Sequence, residues 1–328
     1  MQSIHSPFRR KLLSSLLMLA CIGPATALAA SYPDRVVKIV VPFSAGGGTD
    51  IIARIVADKL SDKFGKQFIV QNSPGAGGTI GAASVARAEP DGYTLLVWHI
   101  GMISADYMYK QLPYNSQKDF TPISLLSSAS NLIAVNPGVP ANTLGELVAL
   151  AKRKPGELNY GSSGIGGADH LAGELLQRVA NIKTTHVPYK GGGPATVAAV
   201  GGEVQFVTGT ASQVMTMVKA GRLKALAVTQ KQRSPSMPDV PSAAEAGYPE
   251  LDYTTWFGLW GPAKMPADVV IEINKAVREI LARDDVRAAL AKAGVEPRSS
   301  TPQEFDAMYK SQYIKWSKTL SEVLTKTE

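Results

Sequence analysis

Four times in this sequence an extended, β-prone run gives way to a bare glycine loop and then to an amphipathic stretch. The loops are "VPFSAGGGTD" (41–50), "GAGG" (75–78), "GSSGIGG" (161–167) and "KGGGP" (190–194). Before the first, "RVVKIVV" (35–41) is nearly all β-branched, as a strand buried on both faces requires. After it, "TDIIARIVADKLSDKFG" sets Ile51, Ile52, Ile55, Val56 and Leu60 at helical spacing, with Gly65 as a stop. "QFIVQN" and "YTLLVWH" read as further strands, and "TIGAASVARAEPDG" as a helix between them. The same plan recurs downstream in "LNYGSS", "ADHLAGELLQRVAN", "TTHVPY", "PATVAAVGG", "VQFVTG", "ASQVMTMVKAG" and "LKALAVT". Such alternation with short joins predicts an α/β protein with mostly parallel sheets. Two amphipathic helices, "ADVVIEINKAVREILAR" and "TPQEFDAMYKSQYIKWSKTLSEVL", end the chain.

Two extended runs lack a glycine loop after them: 123–138 and 253–262. If both bridge two lobes, lobe one is 31–130 plus 254–328 and lobe two is 131–253. About 300 residues is also the length at which a single core usually divides.

Each glycine loop sits where a strand ends and a helix begins. Ligands of open parallel sheets bind at that edge. Helix amino ends offer free N–H groups and partial positive charge, and a missing Cβ lets an anion approach the backbone. Four such loops, two per lobe, facing one cleft make a carboxylate grip; taken singly, each loop serves equally well as a tight turn. Asp50 opens the first helix, where capping of nearby amides is the favoured use and ligand contact the other. His99 ends the third strand at the ligand edge. His170 reads as structural, and His186 as packing or bonding locally.

Other chemistries lack their residues. No "GxxxxGK[ST]" occurs, and "GAGGTIG" has Ile80 where a dinucleotide fingerprint needs its third glycine. "GSSGI" has Ile165 where a nucleophile elbow needs glycine. The histidines beyond the first thirty residues show no metal-ligand spacing. No cofactor is expected. At the N-terminus, Arg9, Arg10 and Lys11 precede the apolar run "LLSSLLMLACIG" and the small-residue site "ALA" (27–29), the pattern of a signal peptide over 1–29. Cys21, the only cysteine, falls inside it, so the exported chain has no disulfide or thiolate chemistry. The net charge of +7 drops to +4 without the three basic leader residues. That excess is diffuse, which disfavours nucleic acid and suits small anions.

"PFSAGGGTDIIAR", "VQNSPGAGGTIGAASVARAEPDGYTLL", "DFTPISLL", "LNYGSSGIGGADHLAGELL", "HVPYKGGGPATVAAVGGEVQ" and "DVPSAAEAGYP" together resemble the Bug family, the periplasmic solute-binding proteins of tripartite tricarboxylate transporters. The resemblance spans essentially the whole exported chain. It implies a two-lobed type II periplasmic-binding-protein fold, each lobe a sheet flanked by helices and the two joined by two crossover segments. It also implies a small organic carboxylate as ligand, membrane transporter subunits as partners, and a monomer. Carried over, the first two loops contribute Phe43, Ser44, Ala45, Gly46, Gly47, Gly48 and Asp50, with Gly75, Ala76, Gly77 and Gly78. Lobe two contributes Ser162, Ser163, Gly164, Tyr189 and Lys190. The chain departs from the family after its third strand, at "WHIGMIS", and after "GGEVQ", where "FVTGT" puts Thr208 and Gly209 in place of a Phe-Asp pair. With no acid but Asp50 at these loops, a ligand ammonium would lose water without a partner. Aliphatic or aromatic carboxylates without an amine are therefore expected to bind at least tenfold more tightly than α-amino ones. A secreted hydrolase-like enzyme using the cleft, and a sensing subunit for a membrane partner, are the competing readings; no nucleophile–base–acid set favours the enzyme.

Overall fold

The structure is a computed structural model and describes residues 32–323; the expected leader over 1–29, with Cys21, lies outside the described residues. From Arg35 onward the chain builds two sheets. In the first, β1 (Val37–Val41) is flanked in parallel by β2 (Phe68–Asn72) and β3 (Thr94–His99). β10 (Thr254–Pro262) runs antiparallel between β3 and β4 (Phe120–Ser130), and β11 (Glu296–Pro297) closes the edge, giving the order β11-β4-β10-β3-β1-β2. In the second, β6 (Asn159–Ser162) lies parallel to β7 (Thr185–Pro188) and β8 (Phe206–Val207). β5 (Leu132–Val135) pairs antiparallel with β8 and β9 (Lys224–Val228). Both sheets are therefore mixed rather than mostly parallel as the sequence suggested: parallel pairing holds only within the strand–loop–helix units. The strands that carry the chain from one sheet to the other, and those beside them, run antiparallel.

Helices follow the strands where the glycine loops end: α1 (Gly48–Phe64) after β1, α2 (Thr79–Ala86) after β2, α5 (Ala168–Ala180) after β6 and α6 (Gly192–Gly201) after β7. α1 buries Ile52, Val56 and Leu60 from one stripe, which fixes its axis against the sheet. The second sheet is covered on both faces. Leu147 of α4 (Leu144–Arg153) and Leu176 of α5 pack with Phe206 on one face, while Ala198 of α6 and Val214 of α7 (Ala211–Lys219) pack with Val207 on the other.

Two helices escaped the sequence reading. α3 (Gly101–Met108) follows β3 directly and buries Met102, Ile103, Ser104, Ala105 and Met108. A helix buried nearly all round shows no amphipathic period to read. Between α8 (Ala267–Ala282) and α10 (Pro302–Val323), α9 (Asp284–Lys292) restarts after the extended Arg283, with Asp284 and Asp285 in its first turn. Acids there favour a helix start through the dipole.

The chain passes between the sheets at one polar knot. Asn131, wholly buried, separates β4 from β5. Its Oδ1 accepts from Thr255 Oγ1 (2.7 Å) and its Nδ2 donates to the Thr208 carbonyl (2.9 Å). Its own carbonyl accepts from Thr229 N (2.8 Å), and Thr229 in turn accepts from Tyr253 N (2.7 Å), just before β10 begins. The outgoing and returning strands are therefore fastened to each other where they leave the first sheet.

Under the third glycine loop lies a stack of rings. His170 and His186 stack with centroids 4.0 Å apart, and Tyr160 packs on His186 at 5.0 Å. Tyr160 Oη donates to Glu174 Oε1 (2.5 Å), the Ser162 hydroxyl bonds His186 Nε2 (2.5 Å), and His170 Nδ1 accepts from Gly166 N (3.0 Å). Both histidines serve the loop's shape. Burial pushes His186 down to about 4, and burial together with His186 pushes His170 down to about 3, so both are neutral near pH 7. The unfolded chain takes up a proton at His186 as pH falls through 6.5, and the folded chain does so only near 4. Stability contributed by neutral His186 is therefore lost across that window. We predict that His186→Asn flattens the fall in Tm between pH 6.5 and 4; thermal melts of both proteins across that range, unchanged in slope, would refute it.

Candidate functional site

The first loop leaves β1 at Pro42 and enters α1 at Gly48. Its N-cap is Gly47, with no capping side chain. The same is true of α5, capped by Gly167, of α6, capped by Gly191, and of α7, preceded by Thr210. By contrast α4, away from these loops, has a capping Thr143 whose hydroxyl accepts from Glu146 N. Helix amino ends without caps keep donors available to another partner. Residues of all four helix starts line one cavity of about 20 Å³: Gly47, Gly48 and Thr49, then Ala168 and Asp169, then Gly192, then Thr210. Phe43, His99, Ser163, Gln213 and Phe257 complete its wall.

Next to it is a chamber of about 220 Å³, sharing Phe43 and Ser163 with the small cavity. Gly75, Ala76, Gly77 and Gly78 form one side, with Ser163, Gly164, Tyr189 and Lys190 opposite. The second loop is a single 3₁₀ turn over Ala76–Gly78. Trp98, fully buried, lies beneath it in the core and does not face the cleft; a Cβ on Gly78 would stand 2.9 Å from its Cζ2. Gly77 has φ +61°, and a Cβ there would collide with the Ile165 carbonyl oxygen of the opposite loop. A Cβ on Gly48 would stand 2.5 Å from Thr210 Oγ1 and 2.6 Å from Ser212 Oγ. The glycines thus let loops attached to the two sheets come into contact. Ser44 N donates to the Lys190 carbonyl across the cleft (2.9 Å), and Ser104 Oγ of α3 donates to the Gly166 carbonyl.

Most of the sequence-derived residues line one of these two cavities, but six do not: Ser44, Ala45 and Gly46 of the first loop, and Asp50, Ser162 and Thr208. Asp50 is 3% exposed and committed to its own loop. Its Oδ2 accepts from Gly46 N (3.0 Å) and Arg54 Nε (3.0 Å), and its Oδ1 from Asn72 Nδ2 (3.0 Å). Burial alone would raise its pKa, but bonds from Arg54, Gly46 and Asn72 outweigh that and hold the carboxyl below the usual range. Ser162, wholly buried, points its hydroxyl at His186. Thr208, also wholly buried, donates its hydroxyl to the Asp169 carbonyl behind the cavity wall; Thr210, two residues on, reaches the cavity in its stead.

His99 does line the cavity, stacked on Phe43 at 4.9 Å and edge-on to Phe257 at 6.0 Å. Burial pushes its pKa down to about 3, so the ring is neutral. Its Nδ1 accepts from Gly101 N (2.9 Å), which leaves the ring proton on Nε2. His99 is therefore a hydrogen-bond donor within the cavity wall.

The acid at the cavity is Asp169, not an element of the sequence reading. The premise that no acid but Asp50 stands at the loops fails here. Its signal was present: "GGTD" (47–50) and "GGAD" (166–169) repeat one pattern at two loop–helix joins. Thr49, Gly192, Thr210, Gln213 and Phe257 were also not singled out: Thr49 and Gly192 lie within glycine loops of which only other residues were chosen, and Thr210, Gln213 and Phe257 lie in or just after segments read only as helix or strand. Among the described residues no group of three or more histidine, cysteine or acidic side chains is placed to hold a metal ion.

Comparison with known proteins agrees with this architecture. The family described as "Tripartite tricarboxylate transporter family receptor" matches residues 52–324. Protein BugT of Bordetella pertussis is 32% identical, over 93% of this chain and 95% of its own. Two solved structures from Rhodopseudomonas palustris are similar throughout. Rpa4515 with adipate is 31% identical with TM-score 0.86, covering 89% of this chain and 99% of that one. MatC with bound malate is 32% identical with TM-score 0.84, covering 88% and 100%. With its two sheets, its crossing strands and a match over most of its length, the chain belongs to the tripartite tricarboxylate transporter receptors, the family that includes the Bug proteins.

Proposed function

We propose that this protein is a periplasmic receptor that closes two lobes on a small organic carboxylate and delivers it to the membrane subunits of a tripartite transporter. The observation that carries this reading is the convergence of four uncapped helix starts, from both lobes, on one cavity. Their N–H groups and dipoles suit an anion and nothing else so well. Lobe one is 31–130 with 254–328, and lobe two is 131–253; the division of strands between the two sheets supports those limits. The chain acts as a monomer and carries out no chemistry on its ligand. Export by the leader at 1–29 fits the periplasmic setting of the family.

Within the site, the amides of Gly47 and Gly48 and the His99 Nε2–H hold one carboxylate; the Gly46 amide stays with Asp50. Gly75 to Gly78 and, across the cleft, Ser163, Gly164, Tyr189 and Lys190 enclose the remainder of the ligand in the larger chamber. The ligands held by the two R. palustris relatives, adipate and malate, support an aliphatic dicarboxylate of about that size. A thermal-shift screen of mono-, di- and tricarboxylates, aliphatic and aromatic, tests the reading directly, because a ligand of the folded state raises its Tm. Absence of any stabilisation across the panel would remove it.

Two further outcomes follow from closure. Small-angle scattering with a saturating hit from that screen should show a population more compact than without it, since a ligand touching both lobes favours the closed arrangement. An unchanged profile would count against lobe closure. Gly77→Ala should weaken that ligand at least tenfold, about 1.4 kcal/mol. The added methyl meets the Ile165 carbonyl only when the loops are in contact, so the variant should still fold. Titration calorimetry giving wild-type affinity for a folded Gly77→Ala protein would show that this contact is dispensable.

A further inference from the structure

Asp169 holds a buried charge that no cationic side chain among the described residues neutralises. It is 3% exposed, and its carboxylate accepts from Ser163 N (2.7 Å), Ser163 Oγ (2.5 Å) and His170 N (3.1 Å). Those donors are neutral, and no lysine or arginine among the described residues pairs with it. Asp50, at the matching place in the other "GGxD" repeat, has Arg54 at 3.0 Å. The difference shows in their acidities. Asp50 is held low, while burial lifts Asp169 to about 6 against the pull of its hydrogen bonds. A carboxylate offers about four acceptor positions, so Asp169 retains capacity for one more donor. It lines the small cavity, and that is where such a donor would enter.

Around that cavity stand the start of α1, at Gly47 and Gly48, and His99, the groups proposed to hold the ligand's carboxylate, with the start of α6 beside them. Asp169 lines that same small cavity beside them. A carboxylate seated on the helix amides therefore brings the carbon next to it, C2, within reach of Asp169. A plain methylene at C2 would press hydrocarbon on a buried charge, and a second carboxylate there would meet repulsion. A hydroxyl or an ammonium at C2 supplies the missing donor. His99, with its proton on Nε2, gives the same carboxylate a donor, so the cavity offers donors to one end of a two-carbon unit and an acceptor to the other.

We propose that Asp169 reads the ligand's C2 substituent, and that this receptor selects 2-hydroxy- or 2-aminocarboxylates over acids with an unsubstituted C2. The proposal rests on the carboxylate-capture reading above. It reverses the expectation of an amine-free ligand, which assumed a cleft with no acid beyond Asp50.

The test is calorimetry near neutral pH on two matched series: succinate, malate and aspartate, then glutarate, 2-hydroxyglutarate and glutamate. Each is titrated into the exported chain with the native residue and into Asp169→Asn. In the native protein, the hydroxy or amino member of at least one series should bind at least tenfold more tightly than its plain counterpart. The malate and aspartate arms then say whether the donor is a hydroxyl or an ammonium. In Asp169→Asn that preference should shrink at least fivefold. A variant that folds poorly loses both members of a pair alike, so the ratio stays readable. Plain diacids binding as well as their substituted partners would overturn the proposal, as would a ratio that survives Asp169→Asn. Failure of all six to bind would overturn the proposal, while the carboxylate reading falls only if the wider thermal-shift panel also gives no stabilisation.

Discussion

The arrangement depends on a single buried amide. Asn131 has no water to turn to, so its carbonyl, its Oδ1 and its Nδ2 must all find partners in the chain. They find Thr229, Thr255 and Thr208, which belong to three segments far apart in sequence. Loss of one of these bonds would leave a polar group stranded, at a cost on the order of 1–3 kcal/mol. The two strands that join the sheets are thereby kept side by side at the crossing. A pair of parallel tethers bends more readily about one axis than about others, so the same knot that fixes the sheets also limits how the glycine loops can approach each other.

What the loops do on meeting follows from the absence of side chains. The starts of α1, α5, α6 and α7 leave backbone donors uncapped at a shared cavity. Side chains at Gly48 or Gly77 would hold the halves apart before those donors could converge. Stacked and edge-on rings, Phe43 against His99 and His99 against Phe257, form the apolar part of the wall. In so buried a setting each polar group counts for more. That is the ground on which one uncompensated acid, Asp169, is proposed to weigh in the choice of ligand.

Much of this was legible in the sequence. The β-branched run before the first loop, the helical spacing after it and the recurrence of the pattern located the strand–loop–helix units. The four glycine loops were correctly placed at strand ends. What the sequence did not disclose was orientation. Thr208 and Thr210 would share one face of a regular strand; β8 ends at Val207, and the turn through Gly209 into α7 brings Thr210 to the cavity while Thr208 turns to the Asp169 carbonyl. Asp169 was hidden because an acid in a first helical turn has an ordinary use there, stabilising the dipole. α3 was hidden because its burial on nearly every side erases the periodicity by which helices are read.

The bond from Ser44 N to the Lys190 carbonyl joins main chain to main chain. Its strength is indifferent to which side chains occupy positions 44 and 190, provided the loops keep their shape. Asp169, His99, Thr210 and Gln213 line the cavity and differ in what their side chains offer. Shape and chemistry can therefore change separately: a descendant can exchange the side chains of the cavity wall without losing the bond that joins the loops.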